Sequence, residues 1–107
     1  MDQEIIVKIL KFRDDRDWAQ FHNAKDLAIA LNIESSELLE LFLWKGEADA
    51  DIEKVKEELA DVMIYALLLA NKYNIDVHSA IEEKLAKNSK KYPVDKAKGN
   101  AKKYNEI

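Results

Sequence analysis

Hydrophobic positions recur along this chain at helical rather than alternating spacing. Ile5, Ile6, Ile9, Leu10 and Phe12 mark an amphipathic segment over residues 2–14, with Asp2 placed to cap its start. Residues 16–23 hold no sustained period and read as a connection or short turn. Leu27, Leu31, Leu38 and Phe42 form the stripe of a second helix from about Asp26 to Trp44, with Ala30 and Leu41 at its edge. Gly46 follows, where a left-handed residue would stop that helix. Asp49 and Asp51 offer caps for a third helix reaching about Tyr73. Its stretch 59–70 is apolar around nearly the whole circumference, which predicts burial on several sides. Asn74-Ile75 breaks the pattern, Asp76 can cap a fourth helix running to about Lys91, and Pro93 ends it. Short connections between long helices favour antiparallel neighbours. The expected fold is all-α, a small four-helix bundle over residues 1–93 with a basic C-terminal tail over 94–107.

The polar complement excludes several kinds of chemistry. With 107 residues the chain has the length of one domain, and 48% hydrophobic content suits a folded core despite 36% charged residues. Two Gly and one Pro cannot build a glycine-rich phosphate loop, and the absence of Cys removes disulfides, thiolate metal sites and cysteine nucleophiles. Uncharged stretches fall far short of the roughly 20 residues that span a bilayer. The acidic start, Met1-Asp-Gln-Glu, reads against a signal peptide, and with no Cys the cytoplasm is the default expectation. The net charge of −4 hides a strong asymmetry. From Lys84 to Tyr104 eight lysines stand against the single acid Asp95, while nearly all the other acids lie before them. A basic end can bind nucleic acid, but the acidic body would repel a long polyanion. Packing of a solvated helix end against an acidic body, or contact with a small phosphate ligand, explains the asymmetry better.

Four acids stand where solubility does not explain them. At 100° per residue, Glu34 falls inside the apolar stripe of the second helix and Glu37 on its border, whereas Glu40 turns away. Asp61 is the only charge in the apolar run 59–70, and Glu58 sits one turn earlier. Counted from the hairpin end at 1.5 Å per residue, Glu37 and Glu58 both lie roughly 10–12 Å away. The two i, i+3 pairs should therefore face each other. Converging carboxylates repel and are costly to desolvate, so they require protons, cationic partners or a divalent metal. Lys54, four residues before Glu58, is a possible local partner for it; Asp61 has none at helical spacing. Oxygen-only ligands favour Mg²⁺ or Mn²⁺ over Zn²⁺, and Mg²⁺ so held commonly takes substrate phosphates as further ligands.

Glu34-x-x-Glu37, then 20 residues, then Glu58-x-x-Asp61 resembles the metal motif of the MazG-like all-α nucleotide pyrophosphohydrolases. Arg16-Asp-Trp-x-Gln-Phe-His22, Leu27-x-x-Ala-Leu31, Glu37-Leu-x-Glu-Leu-Phe-x-Trp44, Glu57-Glu-Leu-x-Asp-Val-x-Ile-Tyr65 and Lys84-x-x-x-Asn-x-x-Lys-Tyr-Pro93 extend the likeness toward the dCTP pyrophosphatase branch. The resemblance implies a homo-oligomer, a dimer or tetramer, that hydrolyses a nucleoside triphosphate with Mg²⁺ to the monophosphate and pyrophosphate. Glu34, Glu37, Glu58 and Asp61 would hold the metal. Trp18, His22 and Trp44 would belong to the nucleobase pocket, and Tyr65, Lys84 and Asn88 would approach the triphosphate. Ile33 and Ser36 replace the small or glycine residues common around the first Glu, and Ile9 replaces a base-pocket His. These departures leave the metal motif intact and bear on the choice of base.

Read as residues, the same positions admit plainer roles. The two Trp can stack on a base or fill a core. His22 can be structural, and Tyr65 needs only a hydrogen-bond partner. Lys84, Asn88 and Lys91 share one helical face that can meet phosphates or water. The expected reaction is attack of water on the α-phosphorus, with Glu37 as proton acceptor and Lys84 offsetting charge on the leaving pyrophosphate. The expected substrate is dCTP or a modified dCTP, in clearance of the nucleotide pool. A non-catalytic helical interaction module, or the same fold acting on another triphosphate such as phosphoribosyl-ATP, are the competing readings.

Overall fold

The computed structural model describes residues 3–107, and all regular structure among them is helical. The order is α1 (Gln3–Asp15), α2 (Ala24–Glu40), α3 (Ile52–Lys72), α4 (Val77–Lys91) and α5 (Val94–Ala97), with 3₁₀ turns at Ala19–Phe21, Glu47–Asp49 and Tyr104–Glu106. The all-α expectation holds. The expected cap at Asp2 lies outside the described residues.

Caps and left-handed residues set the boundaries. Asn23 accepts the amide hydrogen of Asp26 at 2.8 Å and donates to its carboxylate at 2.8 Å, so α2 begins two residues before the expected start. Asp51 accepts from Glu53 N, and Asp76 from His78 N and Ser79 N, as expected for the caps of α3 and α4. Asp49 instead closes a 3₁₀ turn. At the end of α1, Asp17 takes φ 53° while Trp18 N donates to Arg13 O and Asp17 N to Asp14 O. Asn74, at φ 54°, ends α3 in the same way, with Ile75 N donating to Ala70 O and Asn74 N to Asn71 O. Both are Schellman closures on residue types that tolerate the left-handed region.

The end of α2 departs from expectation. The helix stops at Glu40 rather than Trp44, because the amides of Leu41, Phe42 and Leu43 tighten onto carbonyls three residues back. Trp44 adopts the left-handed conformation at φ 63°, while Gly46 is extended at φ −80°, ψ 169°. The chain thus reverses at the Trp and leaves the conformational freedom of Gly46 unused.

The chain divides into two compact units, the first ending at Ile75 and the second running from Asp76 to Ile107. In the first, α2 and α3 pair as an antiparallel hairpin and α1 packs on α3. Leu27 on α2 and Leu67 and Leu68 on α3, at 1%, 6% and 5% exposure, are the buried hydrophobic side chains among the described residues. The expected burial of α3 on several sides is therefore not met within one chain. Leu59, Met63 and Ile64 are exposed, since α1 and α2 leave part of its circumference uncovered. In the second unit α4 ends where Tyr92 N bonds Asn88 O, and Pro93 opens α5. The basic segment from Val94 belongs to this unit. Lys91 Nζ lies 4.9 Å from the Tyr104 ring centroid, and Tyr92 meets Tyr104 edge-on at 6.3 Å.

Candidate active site

The α2–α3 hairpin brings Glu34, Glu37 and Glu58 together, with one carboxylate oxygen of each within 4.8 Å of the others. Glu34 and Glu58 are half-buried and Glu37 is exposed. The Oε2 atoms of Glu34 and Glu58 are shielded from water and have no hydrogen-bond partner. Lys54 forms no ion pair with Glu58 among the described residues, so the local rescue open on sequence is absent. Asp61 stands outside this three-carboxylate cluster but close enough to act on it electrostatically.

The electrostatics follow from that crowding. Desolvation, then the neighbouring Glu37, then Asp61 and Glu58, push the Glu34 carboxyl up to about 7. The Glu58 carboxyl is raised as well, by desolvation first and by Glu37 next. Orphaned buried oxygens on groups that resist ionisation are what a bound cation would resolve. Hard oxygen donors without imidazole or thiolate fit a divalent ion of the Mg²⁺ or Mn²⁺ kind.

Beside the acids lies a cavity of about 410 Å³. Lys8, Ile9, Phe12 and Arg13 line it from one face of α1, Trp18 and His22 from the connection, Glu34 from α2, and Asp61, Ile64, Tyr65 and Leu68 from α3. It joins an aromatic and aliphatic wall to two of the acids, an arrangement suited to a ligand with a flat apolar part and a polar end. His22 meets Tyr65 edge-on with ring centroids 6.5 Å apart, and its Nδ1 is buried without a partner. Desolvation, with Arg13 and Lys72 adding, lowers the His22 pKa, so the ring is neutral and can accept a hydrogen bond from a ligand. The Tyr65 hydroxyl is raised by desolvation and by the nearby carboxylates, and stays protonated as a donor.

Of the residues singled out from sequence, Glu34, Asp61, Trp18, His22 and Tyr65 share this cavity, and Glu37 and Glu58 adjoin it through Glu34. Trp44 does not line it; its side chain is fully exposed at the left-handed turn. Lys84, Asn88 and Lys91 are on α4 in the second unit, with Asn88 half-buried and both lysines exposed. Phe12, Lys8 and Arg13 were missed as site residues. Phe12 was part of the helical stripe, and neither Lys8 nor Arg13 stood out by spacing, although the Arg13 side chain is only 17% exposed. The available signal was the i, i+4 pairing of Lys8 with Phe12 and of Ile9 with Arg13 on one face.

Known proteins resemble this chain in sequence and in fold. dCTP pyrophosphatase 1 from Rattus norvegicus is 37% identical over 105 residues, covering 91% of this chain and 62% of the relative. The Homo sapiens protein of the same name is 36% identical over the same share. The chain thus spans under two thirds of the length of these relatives. A pyrophosphatase of solved structure from Archaeoglobus fulgidus superposes with a TM-score of 0.77 at 39% identity, over 85% of this chain and 91% of that one. The MazG-like family model matches residues 29–107, which take in all four acids, and with it the chain belongs to the MazG-like family.

Proposed function

We propose that this protein is a Mg²⁺-dependent nucleoside triphosphate pyrophosphohydrolase that releases a nucleoside monophosphate and pyrophosphate. The observation that carries the reading is the cluster of Glu34, Glu37 and Glu58, two of them with orphaned oxygens, beside a cavity with an aromatic wall. A divalent ion held by Glu34, Glu37, Glu58 and Asp61 would neutralise phosphate charge and lower the pKa of a water. Trp18 and His22 would take the base, and Tyr65 would donate to a phosphate oxygen. Glu37 is exposed, and it is our candidate to accept the proton of the attacking water. For Lys84 and Asn88 the family resemblance supports contacts to the phosphates, with Lys84 offsetting charge on the departing pyrophosphate, and Lys91 would join them from the same helical face. Trp44 would contribute to base binding by the same resemblance.

The names of the relatives support dCTP as substrate; a modified dCTP, a role in clearing the nucleotide pool and a cytoplasmic location complete the proposal. No helix among the described residues is long and apolar enough to cross a membrane. The exposed apolar residues of α2 and α3 support assembly as a dimer or tetramer. The test is incubation with Mg²⁺ and each natural and 5-modified triphosphate, followed by chromatography of the products. Turnover of a cytosine nucleotide to monophosphate and pyrophosphate is the expected result. Turnover of a different triphosphate alone would move the substrate assignment, and no turnover at all would favour an interaction module. In ¹⁸O-water the label should enter the monophosphate; label found only in pyrophosphate would refute attack at the α-phosphorus.

A further inference from the structure

Arg16 opens the Arg16-Asp-Trp-x-Gln-Phe-His22 block, yet it does not line the cavity. Its guanidinium carbon lies 3.7 Å from the centroid of the Phe12 ring, a close cation–π stack, and 6.0 Å from that of Trp18. Its Nη1 donates at 2.9 Å to the carbonyl oxygen of Phe12, which fixes the guanidinium over that ring. Phe12 and Trp18 meet edge to face, with centroids 5.8 Å apart and planes at 75°. Both line the cavity although 52% and 43% of their surface is exposed. Aromatic side chains so exposed at a helix end have little packing to hold one rotamer.

The backbone under Trp18 is held from the other side. Asp17 turns the chain in the left-handed region, and Trp18 N donates to Arg13 O at 3.1 Å. Gln20 Nε2 donates to both the carbonyl and the carboxylate of Asp17, each at 3.0 Å, and so locks that turn. Asp17 and Gln20 therefore fix where the Trp18 backbone stands, and Arg16 fixes how the Phe12 and Trp18 rings stand to each other. We infer that Arg16 is a positioning residue, a clamp that preorganises the aromatic wall of the cavity for a flat ring such as a nucleobase. The inference rests on the nucleotide reading of that cavity. Its physical logic is that a wall already ordered spends less entropy on binding than one ordered by the ligand.

The clamp acts on binding and leaves the acids untouched. Arg16→Ala should raise KM for the preferred triphosphate roughly five- to tenfold, with kcat within about twofold and helical content unchanged. Arg16→Lys, which keeps the cation but not the planar fork, should recover part of that loss. Affinity for Mn²⁺ alone should be the same in all three proteins. In ¹⁵N spectra without nucleotide, the Trp18 indole signal, assigned with Trp18→Phe, should broaden or shift in Arg16→Ala. A KM and an indole signal indistinguishable from those of the unaltered protein would overturn the clamp and leave the nucleotide reading intact. An unaltered chain that binds no triphosphate would overturn both. An equal fall in kcat and in Mn²⁺ affinity would show a general structural role instead.

Discussion

Glu34 shows how one residue can carry a site. Its carboxyl titrates near 7 in the fold against an ordinary value of 4.5, because it is desolvated beside Glu37, Asp61 and Glu58. A raised folded pKa means that stability from this group is fully present below pH 4.5 and is lost as pH rises through about 7. The metal-free protein should therefore melt at a lower temperature at pH 8 than at pH 5.5. Glu34→Gln should flatten that slope and raise the pH 8 melting temperature by up to about 4 °C, what roughly 1 kcal/mol is worth at this size after allowance for solvent screening. Mg²⁺ should do the opposite, stabilising more at pH 8 than at pH 5.5, since it competes with protons for the same oxygens. Calorimetric melts at both pH values, with and without Mg²⁺, read all three effects. A flat pH profile would contradict the crowding. Asp61→Asn separates the chemistry from the fold, since turnover should vanish while the circular dichroism spectrum is kept. Undiminished activity would remove Asp61 from the site.

At the scale of elements, what was legible was what a single helix dictates. A charge inside an apolar stripe marks Glu34 and Asp61, and a short polar side chain before a periodic run marks the caps Asp51 and Asp76. The left-handed turn at Trp44 was not legible, because glycine is the default for that conformation and Gly46 stood two residues away. The contributions of Phe12 and Arg13 were hidden for a different reason. Their role exists only where α1, the connection and α3 enclose a common cavity, and no single periodicity encodes that. A bulky residue in the left-handed region costs about 1–2 kcal/mol. Trp44→Asn should recover about half of it as stability and, if Trp44 serves base binding as the resemblance implies, weaken nucleotide binding. Chemical denaturation paired with KM measures both. Loss of stability in Trp44→Asn would mean that the exposed indole is packed in the assembled protein.

The whole molecule poses a problem of coverage. Three buried leucines among the described residues make a thin core for a chain of this length, while Leu39 at 63%, Leu43 at 50%, Ile52 at 77% and Leu59 at 49% remain exposed. Small domains are marginal because they bury a limited share of their surface, and contiguous apolar surface marks an interface. The α3 run that predicted burial on several sides fits this account, because the covering surface would belong to another copy. Stability should then depend on association. The melting temperature should rise with protein concentration, as mass action requires for a fold completed by its partner. Light scattering at micromolar concentration should give at least twice the 12.4 kDa chain mass. Leu59→Lys, which places a charge on the exposed face of α3, should lower both the mass and the melting temperature. A monomer at micromolar concentration, with a melting temperature independent of dilution, would show that this thin core suffices alone.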